Sequence, residues 1–148
     1  MEECWYHNSK CLEEPPEGYY GFIYKITIFP HGDMPKDLWE KIYIGKKAFT
    51  HATKKRISKR EIKTTKTRKR IQRGTKDSGW LNYWGSSLDL KADLKKYGSQ
   101  YFYRQILEFA KTKSELSYLE IKWQCHYDVL RRNSYNGWIK ATIYKKSL

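Results

Sequence analysis

Between Tyr19 and Phe29 apolar side chains fall at every second position. Tyr20, Phe22, Tyr24, Ile26 and Ile28 thus share one face of a predicted first strand. Pro30, His31, Gly32, Asp33 and Pro35 break the alternation, and Lys41-Ile42-Tyr43-Ile44-Gly45 resumes it as a second strand. The pair reads as a hairpin whose loop exceeds the roughly two to five residues usual for hairpins. Residues 46–76 lose the pattern, because Ala48, Phe49, Ala52, Ile57, Ile62 and Ile71 are too sparse to pack a face. After Gly79 it returns with Trp80, Tyr83 and Trp84. Ser86-Ser87 then offers an N-cap for a helix that buries Leu90, Leu94 and Tyr97 and stops at Gly98. Tyr101 to Phe109 predicts a third strand. Ser114 is a candidate cap for a last helix striped by Leu116, Leu119, Trp123, Tyr127 and Leu130. The residues from Tyr135 to Tyr144 are β-prone and aromatic. Ahead of the first strand, the acidic run Glu13-Glu14-Pro15-Pro16-Glu17-Gly18 sets off a short aromatic head. The expectation is one α+β domain over residues 1–148: a small three-stranded antiparallel sheet flanked by helices, with a long basic insertion at 46–76.

Charge sharpens this picture. The chain carries a formal +14, and residues 46–76 hold fourteen Lys or Arg against the single acid Glu61. Nearly the whole excess sits in one segment, which should stay partly mobile until an anion neutralises it. Coupled to six Trp, thirteen Tyr and five Phe, it points to nucleic acid, with Lys46, Lys47, Arg56, Arg60, Arg68 and Lys69 as candidate DNA contacts. A membrane surface fits poorly, since the basic segment is not strongly amphipathic. No apolar run reaches the ~18 residues of a membrane span, and the start lacks signal-peptide order, so a cytoplasmic protein is expected. Cys4, Cys11 and Cys125 are an odd set at no zinc-like spacing and are expected to be reduced thiols. A Cys4, His7, Cys11 cluster lacks a fourth ligand.

Three side chains draw attention as chemistry. On a helical wheel Glu120 falls at the edge of the arc held by Leu116, Leu119, Trp123 and Tyr127, so it is an inward carboxylate that needs a cation, either a divalent metal or a basic side chain. Tyr24 and Tyr43 stand side by side on one face if the hairpin register pairs them. Each is also compatible with an ordinary half-buried strand aromatic.

Gly21-Phe22-Ile23-Tyr24-Lys25-Ile26-Thr27 followed by Lys41-Ile42-Tyr43-Ile44-Gly45-Lys46 resembles the two-part signature of the GIY-YIG nuclease superfamily. Trp84-Gly85-Ser86-Ser87, Lys95-Lys96-Tyr97-Gly98, the strand Phe102 to Glu108 and the helix with Glu120 continue the likeness in the family's order over residues 19 to 139. The head and tail are similar to those of compact phage-encoded members, which implies the host cytoplasm. By this resemblance Tyr24 and Tyr43 match the motif tyrosines, Gly45 the motif glycine, Glu120 the ligand of one Mg²⁺ or Mn²⁺ ion, and Asn136 a phosphate-contacting asparagine. Two positions depart from the pattern. Phe22 stands where the first motif glycine falls, and the family's catalytic arginine has no unique counterpart among Arg56, Arg60, Arg68, Arg70 and Arg73. Arg70 and Arg73, nearest the restart at Trp80, are the favoured candidates.

The resemblance implies a metal-dependent DNA endonuclease, working as a monomer or homodimer, with Tyr24 as base for the attacking water and an arginine stabilising the phosphoryl charge. A phenol with an ordinary pKa of about 10 is a poor base at neutral pH. Lys46, Lys47 and nearby arginines are expected to lower Tyr24. The competing reading is a catalytically silent nucleic-acid-binding protein that keeps the fold.

Overall fold

The computed structural model describes residues 3–65, 71–143 and 145. Arg68, Lys69 and Arg70 lie outside them. In chain order the elements are β1 (Trp5–His7), β2 (Lys10–Leu12), β3 (Gly21–Ile28), β4 (Ile42–Ala48), β5 (Thr50–Arg56), α1 (Lys59–Thr65), β6 (Ile71–Asp77), α2 (Leu88–Tyr97), β7 (Phe102–Ala110) and α3 (Lys113–His126).

The three antiparallel strands expected from the alternation are present as β7, β3 and β4, but the sheet is larger: its order is β2-β1-β7-β3-β4. The aromatic head supplies the extra strands. Asn8 and Ser9 both take positive φ, 49° and 64°, the geometry of a two-residue hairpin turn, and β1 then pairs parallel to β7, with Trp5 opposite Arg104. The expected thiols at Cys4 and Cys11 are instead a disulfide. The β1–β2 hairpin brings their Cα atoms to 5.7 Å, within bridging range. That pairing also leaves no thiol at either position for a metal cluster with His7.

Apolar alternation works on both faces of the central strands. Phe22, Tyr24, Ile26 and Ile28 pack with Trp5, Phe102 and Ile106 beneath Trp80 and Leu90, so α2 covers this side. Ile23, Ile42, Ile44 and Ala110 pack beneath Leu116 and Leu119 of α3 and Val129 just after it. Three details differ from the sequence reading. Tyr20 precedes β3 and its ring joins the α3 side. Leu130 is exposed, because the helix has ended and the chain turns through Asp128 at φ 51°, handing its inward place to Val129. The cap of α3 is Thr112 rather than Ser114, accepting from the Glu115 N–H at 3.1 Å. The cap of α2 is Ser87, which accepts from Leu90, and Gly98 at φ 96° ends that helix as expected.

Among its described residues the basic segment contains strands and a helix. Lys46 and Lys47 belong to β4, and β5 and β6 form a separate two-stranded ribbon with α1 near its far end. Phe49, buried against Phe22 and Trp80, anchors its foot. There Ser78 ties the strands by donating its N–H to Phe49 O at 3.0 Å and its hydroxyl to Ala48 O at 2.5 Å. Backbone pairing therefore supplies the order that the absent apolar face could not.

Candidate active site

Sheet order leaves β4 at an edge, where unpaired backbone groups need partners. The chain after α3 provides them. Tyr135 N–H donates to Ile42 O at 2.8 Å. The Asn136 carboxamide then imitates one strand residue, with Oδ1 accepting from Ile44 N–H at 2.9 Å and Nδ2 donating to Ile44 O at 2.8 Å. Tyr135 is held in turn by Asp93 of α2, to which its hydroxyl donates at 2.7 Å. Burial and that carboxylate push its pKa up. This strap, β4, the start of α2 and one side of α3 enclose a cleft of about 730 Å³ whose walls include Tyr43, Lys46, Ser86, Glu120 and Asn136.

The two motif phenols are diagonal neighbours rather than a directly opposed pair. Tyr24 stands opposite Gly45 and Tyr43 opposite Ile26, which keeps both on one face with ring centroids 6.1 Å apart. Tyr43 reaches the cleft, whereas Tyr24 lies behind it, only 1% exposed. Gly45 makes this possible: a Cβ there would stand 2.6 Å from Tyr24 Cζ and 3.1 Å from Tyr43 Cε1. Gly85 does the same on the other side, at φ 87° with its missing Cβ 3.0 Å from Tyr43 Cε1.

A residue that the sequence reading passed over stands beside the two phenols. The Tyr83 ring packs edge-on against that of Tyr24, centroids 6.0 Å apart, and Ser86 Oγ lies 2.9 Å from the Tyr43 hydroxyl. Burial raises the Tyr24 pKa well above 10, and Tyr43, Tyr83 and Glu120 add to the effect. This reverses the expected lowering. Lys46 turns away to Ser117 and Glu120, and Lys47 lies 4.2 Å over the Tyr83 ring. Desolvation therefore wins, and Tyr24 is a neutral hydrogen-bond donor at ordinary pH.

Glu120 occupies the opposite wall. Burial raises its pKa, and the Lys46 ammonium and backbone lower it only in part. The ion pair is loose, 3.9 Å from Lys46 Nζ, while Lys46 gives its hydrogen bond to Ser117 Oγ at 2.9 Å. Glu120 has a basic neighbour in Lys46, and it also faces an open cleft. A hard divalent cation fits this donor set, because Mg²⁺ accepts one protein carboxylate and fills its other positions with water and phosphate oxygens.

The described arginines of the basic segment do not converge here. Arg56 and Arg73 project from the ribbon and Arg60 from α1, all exposed, and among the described residues the cations on the cleft wall are Lys46 and Lys140. One arginine does matter nearby. Arg104 of β7 is 2% exposed, its guanidinium 4.7 Å from the Trp5 ring and 4.2 Å from the Trp84 ring, and Nη1 donates to Leu81 O and Tyr83 O. It fixes the loop that carries Tyr83, Gly85 and Ser86. Its burial lowers its pKa to about 10. Only the pairing of β7 with the head could reveal it.

The hairpin, the third strand and the last helix follow one another in the order expected of a GIY-YIG nuclease. The chain belongs to this family: residues 5–143 match the family model described as "Putative endonuclease segE, GIY-YIG domain". No curated protein and no solved structure gives a significant match. Among the described residues no helix is long and apolar enough to cross a membrane.

Proposed function

We propose that the protein is a metal-dependent DNA endonuclease whose reaction takes place in the cleft between β4, α2 and α3. The convergence of Tyr43, Glu120 and Asn136 on one cleft, with Tyr24 directly behind Tyr43, carries this reading. Glu120 holds one Mg²⁺ or Mn²⁺ ion, which supplies Lewis-acid stabilisation of charge on the phosphate and the departing oxygen. Tyr43 donates a hydrogen bond to a phosphate oxygen. Tyr24, neutral in the resting protein, positions Tyr43 from behind, and the proton of the attacking water passes to a phosphate oxygen of the substrate. Asn136 acts first as the clip on Ile44, and its remaining amide hydrogen is free for phosphate. Lys46 and Lys140 supply the positive charge within the cleft.

The absence of arginine from the cleft walls, among the described residues, favours the second reading, a silent nucleic-acid binder. Supercoiled plasmid distinguishes them. With Mg²⁺ or Mn²⁺ the protein is expected to nick or linearise it, EDTA to stop this, and Glu120→Ala to abolish it at unchanged fold. Tyr24→Phe should cut the rate while leaving binding intact, and unchanged turnover removes its hydroxyl from the mechanism. Binding without cleavage under every metal condition establishes the silent binder, and equal cutting by Glu120→Ala removes the metal from that residue.

A further inference from the structure

The β5–β6 ribbon is an unusual object on the surface of so small a protein. Seven residue pairs run from Thr50 opposite Asp77 to Arg56 opposite Ile71, about 20 Å of paired strand. Almost every described side chain on it is exposed, and among the described residues no helix packs over either face. A bare two-stranded sheet is marginally stable in water, so its exposure calls for a partner. Five cations, Lys54, Lys55, Arg56, Arg73 and Lys76, against the single acid Asp77 specify a polyanion, and Asp77 is already engaged by the Gly79 N–H.

The register separates two faces of different chemistry. Directly opposed residues share a face and successive ones alternate. Lys54 with Arg73 and Arg56 with Ile71 therefore lie on one face, while His51 with Lys76, and Lys55, lie on the other. The first face holds both guanidinium groups of the ribbon beside an apolar side chain left 48% exposed at Ile71. Arginine pairs with both acceptors of guanine, and an aliphatic group suits the thymine methyl, chemistry that only the major groove displays together. A two-stranded ribbon also fits a groove about 12 Å wide and is too thick for one of about 6 Å.

We propose that the β5–β6 ribbon lies in the major groove of duplex DNA, with Arg56, Arg73 and Ile71 against the base edges and Lys55 and Lys76 toward the phosphates. The ribbon then covers about six base-pair steps. It begins four residues beyond Lys46 on the same run of chain, so groove reading and the cleft are mechanically joined. This rests on the reading of the protein as a DNA nuclease, and it makes cutting depend on base identity beside the cut.

Dimethyl sulfate footprinting of a linear duplex, saturated with protein in EDTA so that no strand is cut, tests the proposal. The reagent marks guanine N7 in the major groove and adenine N3 in the minor groove. The wild type is expected to protect guanine N7 and leave adenine N3 reactive. The exposed double variant Arg56→Ala/Arg73→Ala, folded by its melting temperature, should bind roughly tenfold more weakly and lose the N7 protection at matched occupancy. Lys55→Ala/Lys76→Ala should keep the protection while the slope of log Kd against log salt falls by about 2. Protection of adenine N3 instead, or N7 protection unchanged in the arginine double variant, overturns the proposal. Because the footprint needs no metal, a retained footprint with no plasmid cutting in Mg²⁺ rejects the nuclease reading alone.

Discussion

Position 45 shows how little space one atom needs to decide a site. Tyr24 can lie flat behind Tyr43 only because residue 45 has no side chain, the missing Cβ being 2.6 Å from Tyr24 Cζ. Gly45→Ala should cost about 1–3 kcal/mol of stability as the rings shift, with cleavage lost in the same variant. Thermal melts and a plasmid assay read the two effects. Glu120 shows the opposite economy, a charge kept where folding does not want it. Its folded pKa is raised by burial, so the unfolded chain gives up this proton at lower pH than the folded one. The penalty is absent below the ordinary glutamate value, grows as pH rises through the folded value and is complete above it. Glu120→Gln should therefore raise the metal-free melting temperature by roughly a few degrees at pH 8, with the gain shrinking as pH falls below the carboxylate range. A gain that persists unchanged at low pH contradicts this account.

At the scale of elements, the strap after α3 does more than end the chain. Asn136 makes two hydrogen bonds to one residue of an edge strand, and Gln124 Nε2 adds a third to Ile44 O at 3.2 Å. Asn136→Ala should destabilise the fold by about 1–3 kcal/mol and raise amide exchange at Ile44, which loses the acceptor that Asn136 supplies. Exchange at Ile26, paired inside the sheet, should stay slow, and equal acceleration at both positions rejects the clip. The head works similarly at the other edge. Trp5 is fully buried, donates Nε1–H to Trp80 O at 2.7 Å and stacks on Arg104, so β1 braces the loop that presents Tyr83 and Ser86.

Across the whole molecule, charge and fold are divided between regions. The sheet and its two covering helices make the cleft, while residues 46–76 carry nearly all of the excess positive charge. If six to ten of these meet phosphates, affinity for DNA should fall by roughly 10³ to 10⁵ between 50 and 200 mM salt. Anisotropy titrations across that range measure it, and a flat response removes the ribbon from binding. The central hairpin, the third strand and both long helices were legible in the sequence because each buries one periodic face. The ribbon was not legible, because its order comes from backbone pairing and its side chains are almost all polar.

What the sequence alone determined is the local pattern: strands where alternation has period two, helices between Ser87 and Gly98 and along the Glu120 face, a positive segment, and the motif order that marks a GIY-YIG nuclease. Tertiary structure decided the rest. It set Tyr24 diagonal to Tyr43 through strand register, raised the Tyr24 pKa through burial, and placed Asn136 on the edge of β4. It also joined Cys4 to Cys11 and brought Arg104 under the Tyr83 loop. The reason is physical: periodicity reports which side of its own segment a residue faces. Register, desolvation and edge pairing depend on chain far away, 92 residues in the case of Asn136 and Ile44.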